Sequence, residues 1–131
     1  MELTELTDRA WRLQECFAEQ ARTGGGREWS REEIMQGLVV DVGDLMRLVM
    51  AKAGNRPIDD VDRKLAHELA DCLWSVLVLA KLYNVDLEKE FLATMADLEK
   101  KLVRLTPTSR LSPAPASVRR AGSPRRRAPG A

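Results

Sequence analysis

The chain reads as an all-α protein, an antiparallel four-helix bundle followed by a disordered C-terminal tail. Three observations predict it. No segment sustains an alternation of apolar and polar residues, so no strand is expected. Four segments place apolar residues at steps of three and four, the spacing that lines one face of a helix. Between them stand short stretches rich in glycine, proline, asparagine and aspartate, the lengths that join neighbouring helices in a bundle.

The first helix is marked by Leu3, Leu6, Ala10, Leu13 and Phe17 and ends near Thr23, where Gly24-Gly25-Gly26 interrupts regular structure. The second opens on Ser30-Arg31-Glu32-Glu33, a capping box, with Trp29 and Ile34 placed to form the hydrophobic staple around it. It extends to about Ala53, with Gly54 as its C-terminal cap. Asn55-Arg56-Pro57 is a loop, and Asp59 or Asp60 caps a third helix reaching about Tyr83. That helix is apolar nearly all round, as expected of a central or oligomer-buried element. Asn84 suits a left-handed position after it, and Asp86 caps a fourth helix. Leu87, Phe91, Met95, Leu98, Leu102 and Leu105 mark one face of this last helix, which Pro107 stops. From Thr106 onward the chain is proline, serine, alanine and arginine with little to bury. The division is a helical domain over 1–105 and a Pro/Arg-rich disordered tail over 106–131.

At 131 residues the chain has room for one domain with a real core. Its net charge of +1 hides an asymmetry: six arginines and no acid lie beyond Thr106, which leaves about −5 on the body. An acidic body suits recruitment of cations better than a grip on nucleic acid. The arginine-rich tail has no aromatic residue, so it offers at most weak, salt-sensitive contact to phosphates. Cys16 and Cys72 form neither a disulfide framework nor a metal-ligand spacing, and both read as reduced apolar side chains. The opening Met1-Glu2-Leu3-Thr4-Glu5 lacks the features of a signal peptide. The apolar run from Leu69 to Leu82 is interrupted by Asp71, Ser75 and Lys81 and is too short to span a bilayer. A cytoplasmic protein without a membrane segment is the expectation.

Chemistry concentrates in two greasy stretches, Gly37 to Met46 and Glu68 to Leu79, each holding two acids three residues apart. On helices, Asp41 and Asp44 share one face, as do Glu68 and Asp71. Carboxylates in apolar surroundings call for a cation, a metal or hydrogen bonds. Four oxygen donors on two helices point to a hard divalent ion, Mg²⁺ or Mn²⁺, over zinc. Asp71, the one acid in the Leu69–Leu82 run, is expected to have the least solvent. The plainer alternative is ion pairing, with Arg47 one turn from Asp44 and Lys64 one turn before Glu68. His67 reads as a polar neighbour of the site, Trp74 as core with a lesser chance of stacking on a base, and Gly43 as room for close helix packing.

The pair Leu38-Val39-Val40-Asp41-Val42-Gly43-Asp44-Leu45 and Glu68-Leu69-Ala70-Asp71-Cys72-Leu73-Trp74 resembles the MazG-like all-α nucleoside triphosphate pyrophosphohydrolases, over roughly Trp29 to Leu102. The resemblance implies hydrolysis between the α and β phosphates to a nucleoside monophosphate and pyrophosphate. It implies Asp41, Asp44, Glu68 and Asp71 as Mg²⁺ ligands, with Glu68 also the choice for general base because of its longer reach. Together with the apolar surplus of the third helix it implies a homodimer or higher homo-oligomer. This chain has aspartate at 41 and 44 where the family usually has glutamate, and Val40 and His67 where many relatives carry a further acid. The lysine and asparagine that relatives often place on the fourth helix are absent from Thr94 to Lys101. Lys64, Trp74, Lys100 and Lys101 are the candidates for holding substrate in their stead, with Arg104 as a further substitute. The first reading is a Mg²⁺-dependent pyrophosphohydrolase. The second is a non-catalytic helical protein of the same ancestry that binds a nucleotide or a partner.

Overall fold

The computed structural model describes residues 1–105, and the tail expected to be disordered lies outside the described residues. Four helices account for most of them: α1 (Leu3–Thr23), α2 (Arg31–Lys52), α3 (Val61–Leu82) and α4 (Leu87–Leu105). The described residues contain no strand. No described helix is long and apolar enough to cross a membrane.

The chemistry that ends each of the first three helices is the same. After α2, Gly54 takes φ 92°, its N–H donates to the Ala51 carbonyl at 3.1 Å, and the Asn55 N–H donates to Met50 at 3.0 Å. After α3, Asn84 at φ 54° and Val85 make the same two bonds, to Lys81 and Ala80. After α1, Gly25 at φ 79° and Gly26 bond Arg22 and Ala21. Each is a Schellman closure, which satisfies two orphan carbonyls and redirects the chain.

Helix starts are less uniform. At α2 the expected capping box forms: the Glu33 N–H donates to Ser30 Oγ at 3.2 Å and the Ser30 N–H donates to Glu33 Oε2 at 2.8 Å. Arg27 adds a two-pronged bond to the same carboxylate, at 2.5 and 2.8 Å. Hydrogen bonding to Arg27, and then to the Ser30 backbone, holds the Glu33 pKa down at about 2. Below-normal titration means that this cap stabilises α2 fully above the ordinary value of 4.5 and loses its effect as pH falls toward about 2. Ser30→Ala is expected to cost about 1 kcal/mol, read by thermal unfolding. A Glu33 carbonyl resonance titrating near 4.5 would show that the box does not hold in solution. At α3 the expected cap is not made by a side chain. Asp60 sits in the left-handed region, φ 55°, and turns its carboxylate to Arg63. Asp86 does cap α4, accepting from the Lys89 N–H at 3.1 Å.

The all-α bundle is arranged around α3. Along α2, Lys52 pairs with Asp62 at 2.6 Å near one end, and Arg31 lies over the Tyr83 ring at 5.1 Å near the other. Those two pairs make α2 and α3 antiparallel. Along α1, Asp8 pairs with Lys81 at 3.0 Å, and Phe17 meets Trp74 with ring centroids 5.8 Å apart. So α1 is also antiparallel to α3, and α1 and α2 point the same way. The physical reason is the connection. After the glycine turn, Gly26 to Ser30 forms no helix, and about 3.3 Å per extended residue lets this short stretch carry the chain back along the bundle. Arg22 to Glu28, at 2.6 Å, ties the returning stretch to α1.

The core is small: Ala10, Ile34, Leu77 and Val78, with Leu3, Leu6, Trp11, Trp74, Leu79, Leu82 and Leu87 packed partly against it. Most of the packing is between α3 and its two neighbours, while α4 rests chiefly on α1 and buries no residue. Val39, Val40 and Met46 of α2, Leu69 and Leu73 of α3, and Phe91, Leu92, Leu98 and Leu102 of α4 remain exposed.

Candidate functional site

The antiparallel register of α2 and α3 sets the geometry of the four carboxylates. It lays the turn holding Asp41 and Asp44 across from the turn holding Glu68 and Asp71. Burial raises the Asp41 pKa, and the charges of Asp71 and Asp44 raise it further. Burial also leads the upward shift at Glu68, followed by the charges of Asp41, Asp44 and Asp71, with His67 opposing. The Cys72 thiol is raised as well, by burial and then by Asp41, Glu68 and Asp71. The charges that disfavour ionisation of Asp41 and Glu68 come from both helices, so the two acidic pairs lie within electrostatic reach and form one patch.

Two of the acids have local partners. Arg47 Nη2 lies 3.3 Å from Asp44 Oδ1, and both side chains are well exposed, so this pair contributes little. His67 Nε2 lies 3.2 Å from Asp71 Oδ2 one turn away. The Asp71 side chain is 37% exposed. It is therefore not the solvent-starved acid that its apolar flanks suggest: Leu69 and Leu73 on either side are themselves exposed, and Asp71 lines the mouth of a cleft. Gly43 differs too. A Cβ built there meets nothing within 4 Å, so it does not serve close helix packing.

Among the described residues no three His, Cys, Asp or Glu side chains converge closely enough to hold one metal ion. The donor chemistry nonetheless suits a hard cation, being all carboxylate oxygen with mutual repulsion that a divalent ion would relieve. As they stand, the side chains make a patch and not a ligand sphere.

The patch borders a cleft of about 470 Å³. Gln14, Phe17, Ala18 and Ala21 of α1 form one wall, and Ile34, Gly37 and Asp41 of α2 the other. Asp71, Trp74, Ser75 and Val78 of α3 make the floor, and Glu28 and Trp29 of the returning stretch close one side. The Trp74 indole N–H donates to the Ala10 carbonyl at 3.3 Å, which ties α3 to α1 while the ring lines the cleft. Trp29 is 59% exposed, more than a staple residue needs to be, and its ring lies over Gly37.

The structure thus brings Asp41 and Asp71 to the cleft and Asp44 and Glu68 beside them. It leaves the candidate lysines elsewhere. Lys64 is exposed on α3 one turn before Glu68. Lys100 pairs with Asp97 at 3.6 Å, and Lys101 is exposed, both on α4, whose main contact is with α1. Sequence reasoning did not find the α1 wall or Gly37. The available signals were small residues, Ala18 and Ala21, on one face of α1 and a glycine inside a helix one turn before Asp41.

The family model of the MazG nucleotide pyrophosphohydrolase domain matches residues 29–107. No curated protein and no solved structure matches the chain. The match takes in α2, α3, α4 and all four carboxylates and starts at Trp29, so the α1 wall of the cleft lies outside it.

Proposed function

The chain belongs to the MazG nucleotide pyrophosphohydrolase family, and from that premise we propose that it is a Mg²⁺-dependent nucleoside triphosphate pyrophosphohydrolase, with Mn²⁺ a competent substitute. It would cleave between the α and β phosphates, releasing a nucleoside monophosphate and pyrophosphate. The observation that carries the reading is the single patch made by Asp41, Asp44, Glu68 and Asp71 at the mouth of a ligand-sized cleft.

In this reading Asp41, Asp44, Glu68 and Asp71 would hold the cation, which would offset phosphate charge and acidify water. Phosphoryl chemistry asks the protein mainly for positioning and charge compensation. The remaining step belongs to Glu68. With the longest stem of the four acids, Glu68 would accept the proton of the attacking water on a carboxylate oxygen as the bridging P–O bond breaks. Asp44 must exchange Arg47 for the cation, an inexpensive change given how exposed both are. Of the three candidate lysines Lys64 stands nearest in sequence to the patch and would be the first to meet phosphate, while Lys100 and Lys101 lie on α4, whose main contact is with α1.

A specific observation supports the second reading, that of a non-catalytic nucleotide- or partner-binding protein: among the described residues no three donors converge. One experiment separates the two. A panel of nucleoside triphosphates with Mg²⁺ or Mn²⁺ is assayed for released pyrophosphate. Release from any of them supports hydrolysis; nucleotide binding without release supports the second reading.

The exposed apolar residues of α2, α3 and α4 favour assembly into a homodimer or larger homo-oligomer. Light scattering is expected to return about twice the chain mass of 14.7 kDa or more at micromolar concentration. A mass near one chain would remove this part of the proposal.

A further inference from the structure

Gly37 is the residue of the cleft that the carboxylate chemistry does not explain. Glycine is unfavourable inside a helix, and this one sits in the first half of α2, one turn before Asp41 on the same face. A Cβ built on it would meet Cζ3 of Trp29 at 3.2 Å and Cη2 at 4.0 Å. The missing side chain is therefore what lets the indole lie down against α2. Trp29 itself is positioned from both sides. Ser30, the next residue, is fixed by the capping box, and Glu28, the residue before it, is held by Arg22 of α1. Yet the ring is more than half exposed, so its seat on Gly37 is what decides where it stands.

We propose that Gly37 is a specificity-determining position: by seating Trp29 against α2 it sets the width of the cleft beside Asp41 and Asp71, and hence which flat aromatic ring of a nucleoside enters. The proposal rests on the nucleotide reading above. A methyl group at position 37 occupies part of the cleft directly and also lifts the indole off α2. Trp29 and Gly37 both line the cleft, so the indole yields by a few tenths of an ångström away from α2 and into the space between the helices. Both changes narrow the cleft. Because the ring is exposed it can yield without disturbing the core, so the helix gains alanine in place of glycine while the cleft loses space.

The test pairs stability with nucleoside binding in Gly37→Ala. Free nucleosides and nucleoside monophosphates are titrated into chain labelled with 5-fluorotryptophan, the Trp29 signal being assigned through Trp29→Phe. The native chain is expected to show a nucleoside-dependent change at Trp29. Gly37→Ala should hold or raise the melting temperature, yet weaken that nucleoside by about tenfold and raise KM more than it lowers kcat. Adding Trp29→Phe to Gly37→Ala removes the outer ring atoms that meet the methyl and should recover affinity. Nucleoside affinity and KM unchanged in a folded Gly37→Ala would overturn the proposal while leaving pyrophosphate release intact. Gly37-dependent nucleoside binding without pyrophosphate release would uphold it and defeat the hydrolase reading. A native chain that binds no nucleoside would overturn it outright.

Discussion

Asp71→Asn is expected to abolish Mg²⁺-dependent pyrophosphate release, by about a hundredfold or more, while leaving the metal-free protein folded. Asp71 adds charge to the fields that already disfavour ionisation of Asp41 and Glu68. Removing it relieves repulsion, so the metal-free melting temperature should hold or rise, within about 0.5 kcal/mol. A buried structural ion pair would behave in the opposite way, because losing one partner strands the other at about 3–5 kcal/mol. Among the described residues the one basic side chain paired with Asp71 is His67, itself 70% exposed, and the described core holds no buried charge to strand. The two measurements must therefore be made together. A variant that melts several kcal/mol lower, with no response to Mg²⁺ before or after the change, would end the metal proposal.

Much of this was legible because the signals are local. The Ser30 box, the closures at Gly54 and Asn84 and the Asp86 cap are short-range backbone chemistry, and each forms where its residues stand. The placement of the four carboxylates follows from helical spacing plus one antiparallel pairing, so it too was readable. What escaped the sequence depends on direction and distance between elements. A glycine run predicts a break after α1 but not that the chain returns alongside it, which is what makes α1 a wall of the cleft. Asp60 has the right residue type for a cap, and a left-handed backbone turns it to Arg63 instead. Gly43 lies between two aspartates and suggested packing, while Gly37, with an indole against it, carries the contact.

Trp74 is where scaffold and site overlap, and its substitutions should separate the two. Its N–H bond to Ala10, its ring pairing with Phe17 and its place in the cleft floor make it the main brace between α3 and α1. Trp74→Ala removes all of these and leaves a void in a core that counts few buried residues, so a loss of about 3 kcal/mol is expected. Trp74→Phe keeps an aromatic ring near Phe17 and loses chiefly the hydrogen bond, for about 1 kcal/mol and about 4 °C in Tm. If the ring is a brace alone, KM in Trp74→Phe should stay near the native value once the protein is assayed well below its melting point. If the cleft face of the ring stacks on a base, KM should rise by more than the stability loss accounts for, since base–aromatic stacking is worth about 1–3 kcal/mol. With the ring already tied to Ala10 and Phe17 we expect the first outcome, and a tenfold KM increase beside that same small loss in Tm would reverse the assignment.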